Sequence, residues 1–88
     1  MYSIVYHHLA AKEIQRQDRV PREQLRRDIE ALAHDPDTGK MLKGPLAGLR
    51  SHRSGNYRIV YRVFHRELVI LVVGIGHRCE IYRTVERR

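Results

Sequence analysis

The feature that most restricts the fold of this chain is LVILVVGIG, residues 68–76, a run without one polar side chain. It has strand length and falls well short of the roughly 20 residues needed to span a bilayer. Being apolar on both faces, it reads as a central strand covered on two sides. YRIVYRVFH precedes it, across a tight turn near His65 and Arg66, and strict alternation there sorts side chains onto two faces. Tyr57, Ile59, Tyr61 and Val63 share one; Arg58, Val60, Arg62 and Phe64 share the other. With LRSHRS before it and a turn at Gly55 and Asn56, the segment predicts a three-stranded antiparallel meander.

The first half supplies the cover. MYSIVYH alternates Tyr2, Ile4 and Tyr6 with Ser3, Val5 and His7, which predicts a strand over 2–7. In LAAKEIQRQD, Leu9, Lys12/Glu13 and Ile14 are spaced for a short amphipathic helix. Pro21 suits the first residue of a second helix, whose Leu25, Ile29 and Leu32 form an i, i+4, i+7 stripe. The Pro-, Gly- and Asp-rich segment 34–48 reads as a loop with an apolar anchor at Met41 or Leu42. CEIYR adds a short strand or a turn, and residues 84–88 fray. The expectation is an α+β fold in one domain, 1–88: an N-terminal strand, an antiparallel helical hairpin, then a three- to four-stranded antiparallel sheet with the hairpin over one face.

Charge is unevenly placed. Residues 1–39 carry six Lys/Arg against seven Asp/Glu, and residues 40–88 carry eleven against three. The cationic half therefore coincides with the sheet, a field suited to a polyanion, whether nucleic acid or an acidic protein. Fourteen of the seventeen cations are arginine, whose planar fork matches phosphate oxygens; a GC-rich genome would enrich arginine as well. If Tyr57, Ile59 and Tyr61 face the helices, Arg58 and Arg62 project onto the open face. Alternation from a buried Leu49 adds Arg50 and His52 to that face and turns Arg53 away, unless a bulge near Gly55 reverses it. After two glycines, at which the backbone bends, come His77, Arg78 and Tyr82. The product is a cationic bowl with an imidazole and an aromatic ring, or more plainly a solvated basic sheet face.

Other chemistry is poorly supplied. His7 and His8 point apart in a strand, and HDPD at 34–37 has no companion at ligand spacing, so neither a metal nor another cofactor is expected. The Gly39–Lys40 pair lacks the rest of a phosphate-cradling loop. Cys79 is the only cysteine, which excludes an intrachain disulfide; with no secretory signal or membrane span, a cytosolic address follows.

Taken in order, LKGPLAGLRSHRSGNYRIVYRV and VVGIGHRCEIYR closely resemble the RelE toxins of toxin–antitoxin pairs, across nearly the whole chain. The resemblance implies a ribosome-dependent endoribonuclease that cuts mRNA in the ribosomal A site. In it the ribose 2′-OH attacks the adjacent phosphate, leaving a 2′,3′-cyclic phosphate and a 5′-OH. By motif position Arg58 and Arg78 match phosphate-binding arginines and Tyr82 a base-stacking tyrosine. Arg50, His52 and Arg53 stand on the strand where better-known members place lysines, and His77 is a candidate proton shuttle. A cognate antitoxin is implied, acidic and folding on binding, with the toxin alone a monomer. ParE-like toxins that poison DNA gyrase share the helical hairpin and sheet, and a noncatalytic RNA-binding module would use the same patch.

Overall fold

The computed structural model describes residues 1–77 and 80–88. Its elements are β1 (Ser3–Tyr6), α1 (His8–Gln15), α2 (Arg19–His34), β2 (Lys40–Met41), β3 (Arg50–Ser54), β4 (Tyr57–Phe64), β5 (Val69–His77) and α3 (Glu80–Glu86). Short 3-10 turns, Pro36–Thr38 and Gly44–Leu46, flank β2. The five strands make one sheet in the order β1-β5-β4-β3-β2, in which β3, β4 and β5 are the expected meander and β1 joins parallel to β5. The expected α+β class holds.

The helical hairpin forms as its periodicity requires. Leu25, Ile29 and Leu32 are buried along α2 and Ala10 and Ile14 along α1, and they meet Ile59, Tyr61, Ile70, Val72 and Ile75 of the sheet. Leu9 lies outside this stripe and stays partly exposed. Pro21 is the third residue of α2 and not the first. The position costs nothing, because the first backbone bond of the helix comes from Arg22 N to Asp18 O, so Pro21 precedes every N–H the helix uses. At the start of α1, His7 Nδ1 accepts from Leu9 N at 3.1 Å, a capping role that an unprotonated ring alone can fill.

The loop 34–48 is anchored from both sides. Arg50 donates to Gly39 O at 2.8 Å and Asp37 O at 3.2 Å, and the Tyr61 hydroxyl donates to Pro36 O at 2.8 Å while accepting from Gly39 N at 2.9 Å. Leu42 packs inward with Leu46 and Leu49, whereas Met41 is exposed.

The segment after β5 departs most from expectation. Glu80–Glu86 is a helix and not a strand or turn, and the fourth antiparallel strand is β2, inside the loop. Ile81 and Val85, four residues apart, are buried against Val60 on the face opposite the hairpin, so β5 is covered on both sides as its composition demands. Residues 84–88 are not frayed: Arg88 reaches back to form a double contact with Glu13 of α1, at 3.1 and 3.2 Å, and donates to Val73 O at 2.7 Å. Glu13 also accepts from Ile75 N at 3.1 Å. Both backbone partners lie beside an irregularity in β5, where Val60 pairs with Gly74 but Tyr61 with Val72, leaving Val73 as the extra residue. The glycines here serve close approach: a Cβ on Gly74 would stand 2.5 Å from Val85 and 3.0 Å from Ile81.

Candidate functional site

Cross-strand register decides which side chains share a face. Arg53 is the direct partner of Arg58, and Ser51 of Val60, so these four project together. Val60 lies under α3, which places the two arginines on the α3 side of the sheet. Arg50 opposes Tyr61 and His52 opposes Ile59, both on the hairpin side. The expected orientations of Arg50, His52 and Arg53 are therefore inverted. The alternation from Leu49 was sound, but Leu49 is half-buried against the cluster of Val60, Ile81 and Val85 and not beneath the hairpin, and every residue after it changes side. Arg50 is also occupied, its guanidinium shared between the 37–39 backbone and an ion pair with Asp37 at 3.3 Å.

At the end of the meander a cavity of about 370 Å³ is lined by Arg53, Asn56, Tyr57, Arg58 and His77, none of them acidic. Gly55, at φ 58°, makes the tight β3–β4 turn that brings Arg53 and Asn56 to its rim, and Arg53 Nε donates to Gly55 O at 3.3 Å. Among the described residues neither Arg53 nor Arg58 is in an ion pair. Two like charges directly opposite one another in a sheet are a local cost, which an anion in the cavity would remove.

His77 opposes Tyr57 across β4 and β5, their ring centroids 4.2 Å apart at 42°. Tyr57 is itself held by its hydroxyl, which donates to Gln17 Oε1 at 2.6 Å. The imidazole thus sits exposed at the cavity edge on a fixed aromatic support. Tyr82 comes from α3 and donates its hydroxyl to Ser51 Oγ at 3.0 Å; Arg58 approaches the same hydroxyl at 3.5 Å and the ring centroid at 5.9 Å. Arg62 points to the same face as Arg58 but lies four residues farther along β4, about 13 Å at the usual strand rise, and its guanidinium rests over Phe64. Arg78 lies outside the described residues.

Four of the expected residues therefore meet around one end of the sheet: Arg53, Arg58, His77 and Tyr82. Asn56, Tyr57 and Ser51 were not expected there. Ser51 and Arg53 would have been found together had the i, i+4 pair Ile81–Val85 been read as a helix covering the second face.

Fold and site together define a small α+β domain whose cavity at the end of the meander is lined, among the described residues, by two arginines and an imidazole and by no acid. The family model for the ParE toxin of type II toxin–antitoxin systems matches residues 4–82. Toxin RelG of Mycobacterium tuberculosis is 40% identical over 53 residues, 59% of this chain and 61% of that protein, so the chain spans less than two thirds of this curated relative. The toxin of the intact E. coli RelBE toxin–antitoxin complex aligns with a TM-score of 0.76 at 26% identity, over 89% of this chain and 98% of that one. The YoeB/ParE toxin from Agrobacterium tumefaciens aligns with a TM-score of 0.76 at 25% identity, over 86% and 98%. The chain belongs to the ParE toxin family, within the RelE and ParE superfamily of type II toxins.

Proposed function

We propose that this toxin is a ribosome-dependent endoribonuclease that cuts mRNA in the ribosomal A site. The observation that carries the reading is the cross-strand pair Arg53–Arg58, without acid partners among the described residues, at a cavity edged by an imidazole. In the proposed step the ribose 2′-oxygen forms a bond to phosphorus and the bond from phosphorus to the 5′-oxygen breaks. The products are a 2′,3′-cyclic phosphate and a 5′-OH. Arg53 and Arg58 neutralise the charge that gathers on the phosphorane, a role that the sequence resemblance assigns to Arg78 as well; arginine cannot serve as a base near neutral pH but is suited to this. His77 is the group able to take a proton from the 2′-OH or give one to the leaving oxygen. Among the described residues no carboxylate lines the cavity, which accords with a site that works only on RNA held in line by the ribosome.

The family match carries a ParE name, and this favours a second reading, a toxin that poisons DNA gyrase without cutting RNA. One comparison separates the two. The purified toxin is added to mRNA on bacterial ribosomes, to naked mRNA, and to a gyrase supercoiling assay. The nuclease reading predicts codon-phased cuts only where ribosomes are present and undisturbed supercoiling; intact mRNA with blocked supercoiling would replace it with the gyrase reading.

The partner proposed for this chain is a cognate antitoxin, as the E. coli neighbour has in its complex. It is an acidic segment that covers the helical hairpin and sheet edge and keeps RNA from the cationic face. At saturating antitoxin, cleavage of ribosome-bound mRNA is expected to cease. Persistent cleavage would refute neutralisation by binding.

A further inference from the structure

Ser51 is 8% exposed, the second residue of β3, on the side of the sheet that carries α3. Its register partners are Lys40 on β2 and Val60 on β4, and Val60 belongs to the apolar cluster with Ile81 and Val85, where a buried hydroxyl needs a hydrogen-bond partner. The other buried serine of β3, Ser54, spends its hydroxyl on Asp28 of α2, a bond that ties the hairpin to the sheet. Ser51 spends its own on Tyr82.

The polarity of that contact is constrained. Arginine only donates, so toward Arg58 the Tyr82 oxygen acts as acceptor. Its single proton then goes to Ser51 Oγ, at 3.0 Å. The contacts run from Arg58 N–H to Tyr82 O–H to Ser51 Oγ, so Ser51 is the acceptor that fixes the Tyr82 proton. With the hydroxyl end of Tyr82 pinned inward, its lone pairs are held toward Arg58, and the guanidinium is steered to the cavity edge it shares with Arg53.

We propose that Ser51 is a positioning residue for the phosphate site, acting through the Tyr82 hydroxyl to hold the Arg58 guanidinium. The assignment deepens the nuclease reading and rests on it for its kinetic consequence. It also distinguishes two uses of Tyr82. If the ring serves only to stack on a base, phenylalanine suffices; if the hydroxyl links Ser51 to Arg58, phenylalanine does not.

The test has a kinetic arm and an arm independent of catalysis. In cleavage of ribosome-bound mRNA, Ser51→Ala and Tyr82→Phe each lower kcat about tenfold with KM unchanged, the double variant is no slower than either single one, and Ser51→Thr restores the rate. In ¹⁵N-labelled toxin the Arg58 Nε–Hε signal, assigned by its loss in Arg58→Lys, is sharp in the wild type and broadened in both Ser51→Ala and Tyr82→Phe. A wild-type rate in Ser51→Ala, effects that multiply in the double variant, or an Arg58 signal unchanged by Ser51→Ala each overturn the assignment. A wild-type toxin that leaves ribosome-bound mRNA intact while Ser51→Ala still broadens the Arg58 signal would refute the nuclease reading and leave Ser51 as the anchor of an anion site.

Discussion

On the sheet face beneath α1 and α2, the buried polar groups reach partners in another layer. Arg50 is tied to Asp37 and Gly39, Tyr61 to Pro36 and Gly39, Ser54 to Asp28. On the face that carries α3, Arg53 and Arg58 stand opposite each other, neither in an ion pair among the described residues, and the seven-residue α3 anchors through Ile81 and Val85 on Val60 and leaves Arg53 exposed. The same residue types thus build stability on one side and store unpaired charge on the other. The difference teaches that burial alone does not point to a site; the candidate site is where cations gather without acid partners among the described residues.

Breaking the second face should cost activity and spare stability. Arg58→Ala is expected to lower cleavage of ribosome-bound mRNA by about 10² to 10³, the usual effect of losing one preorganised donor to transition-state charge. Its thermal midpoint should be no lower than wild type, since the variant relieves the Arg53–Arg58 repulsion; differential scanning fluorimetry checks this.

Breaking the first face should do the reverse. Tyr61→Phe strips one buried acceptor and one buried donor of their partner and should destabilise by about 1–3 kcal/mol in urea titration, with the cleavage rate unchanged. Burial raises the Tyr61 pKa above its ordinary 10.0, against smaller opposing effects of the Gly39 N–H and Arg50. The unfolded chain therefore ionises first: the stability Tyr61 contributes is intact below pH 10 and lost as pH climbs toward the folded value. Tyr61→Phe should lose that alkaline slope.

The smallest effect sharpens the contrast at the chain entry to α1. Desolvation, the stacked His8 ring and Arg88 hold the His7 pKa below 6.5, with Glu13 opposing. A depressed histidine contributes stability above pH 6.5 that is lost as pH falls through the folded pKa, where the ring gains a proton and can no longer accept from Leu9 N. His7→Asn keeps an acceptor without a titration and should flatten the acid side of the stability profile below pH 6.5.

Much of this was legible in the chain. The period-two faces of β4 and the Leu25–Ile29–Leu32 stripe stand as the spacing requires, because both are local patterns set by backbone geometry. What alternation does not convey is which layer covers which face. Leu49, expected to be buried, is half-buried and packs on the α3 side, and the error of side carried Arg50, His52 and Arg53 to the wrong faces. EIYRTVE carries β-branched and aromatic residues that suit a strand, and its helix gains from contacts with Val60 and the glycine notch of β5, all distant in sequence. The parallel pairing of β1 with β5 and the Glu13–Arg88 clamp are equally non-local, so no short window displays them.

The most direct test of the central claim is primer extension on mRNA carried by purified ribosomes, run with the wild-type toxin and with Arg58→Ala. Codon-phased stops that appear with the wild type, need the ribosome, and fade with Arg58→Ala while the variant remains folded are the predicted result. Cleavage undiminished in Arg58→Ala would contradict the account, because the unpaired arginine face would then not be where the phosphate is held.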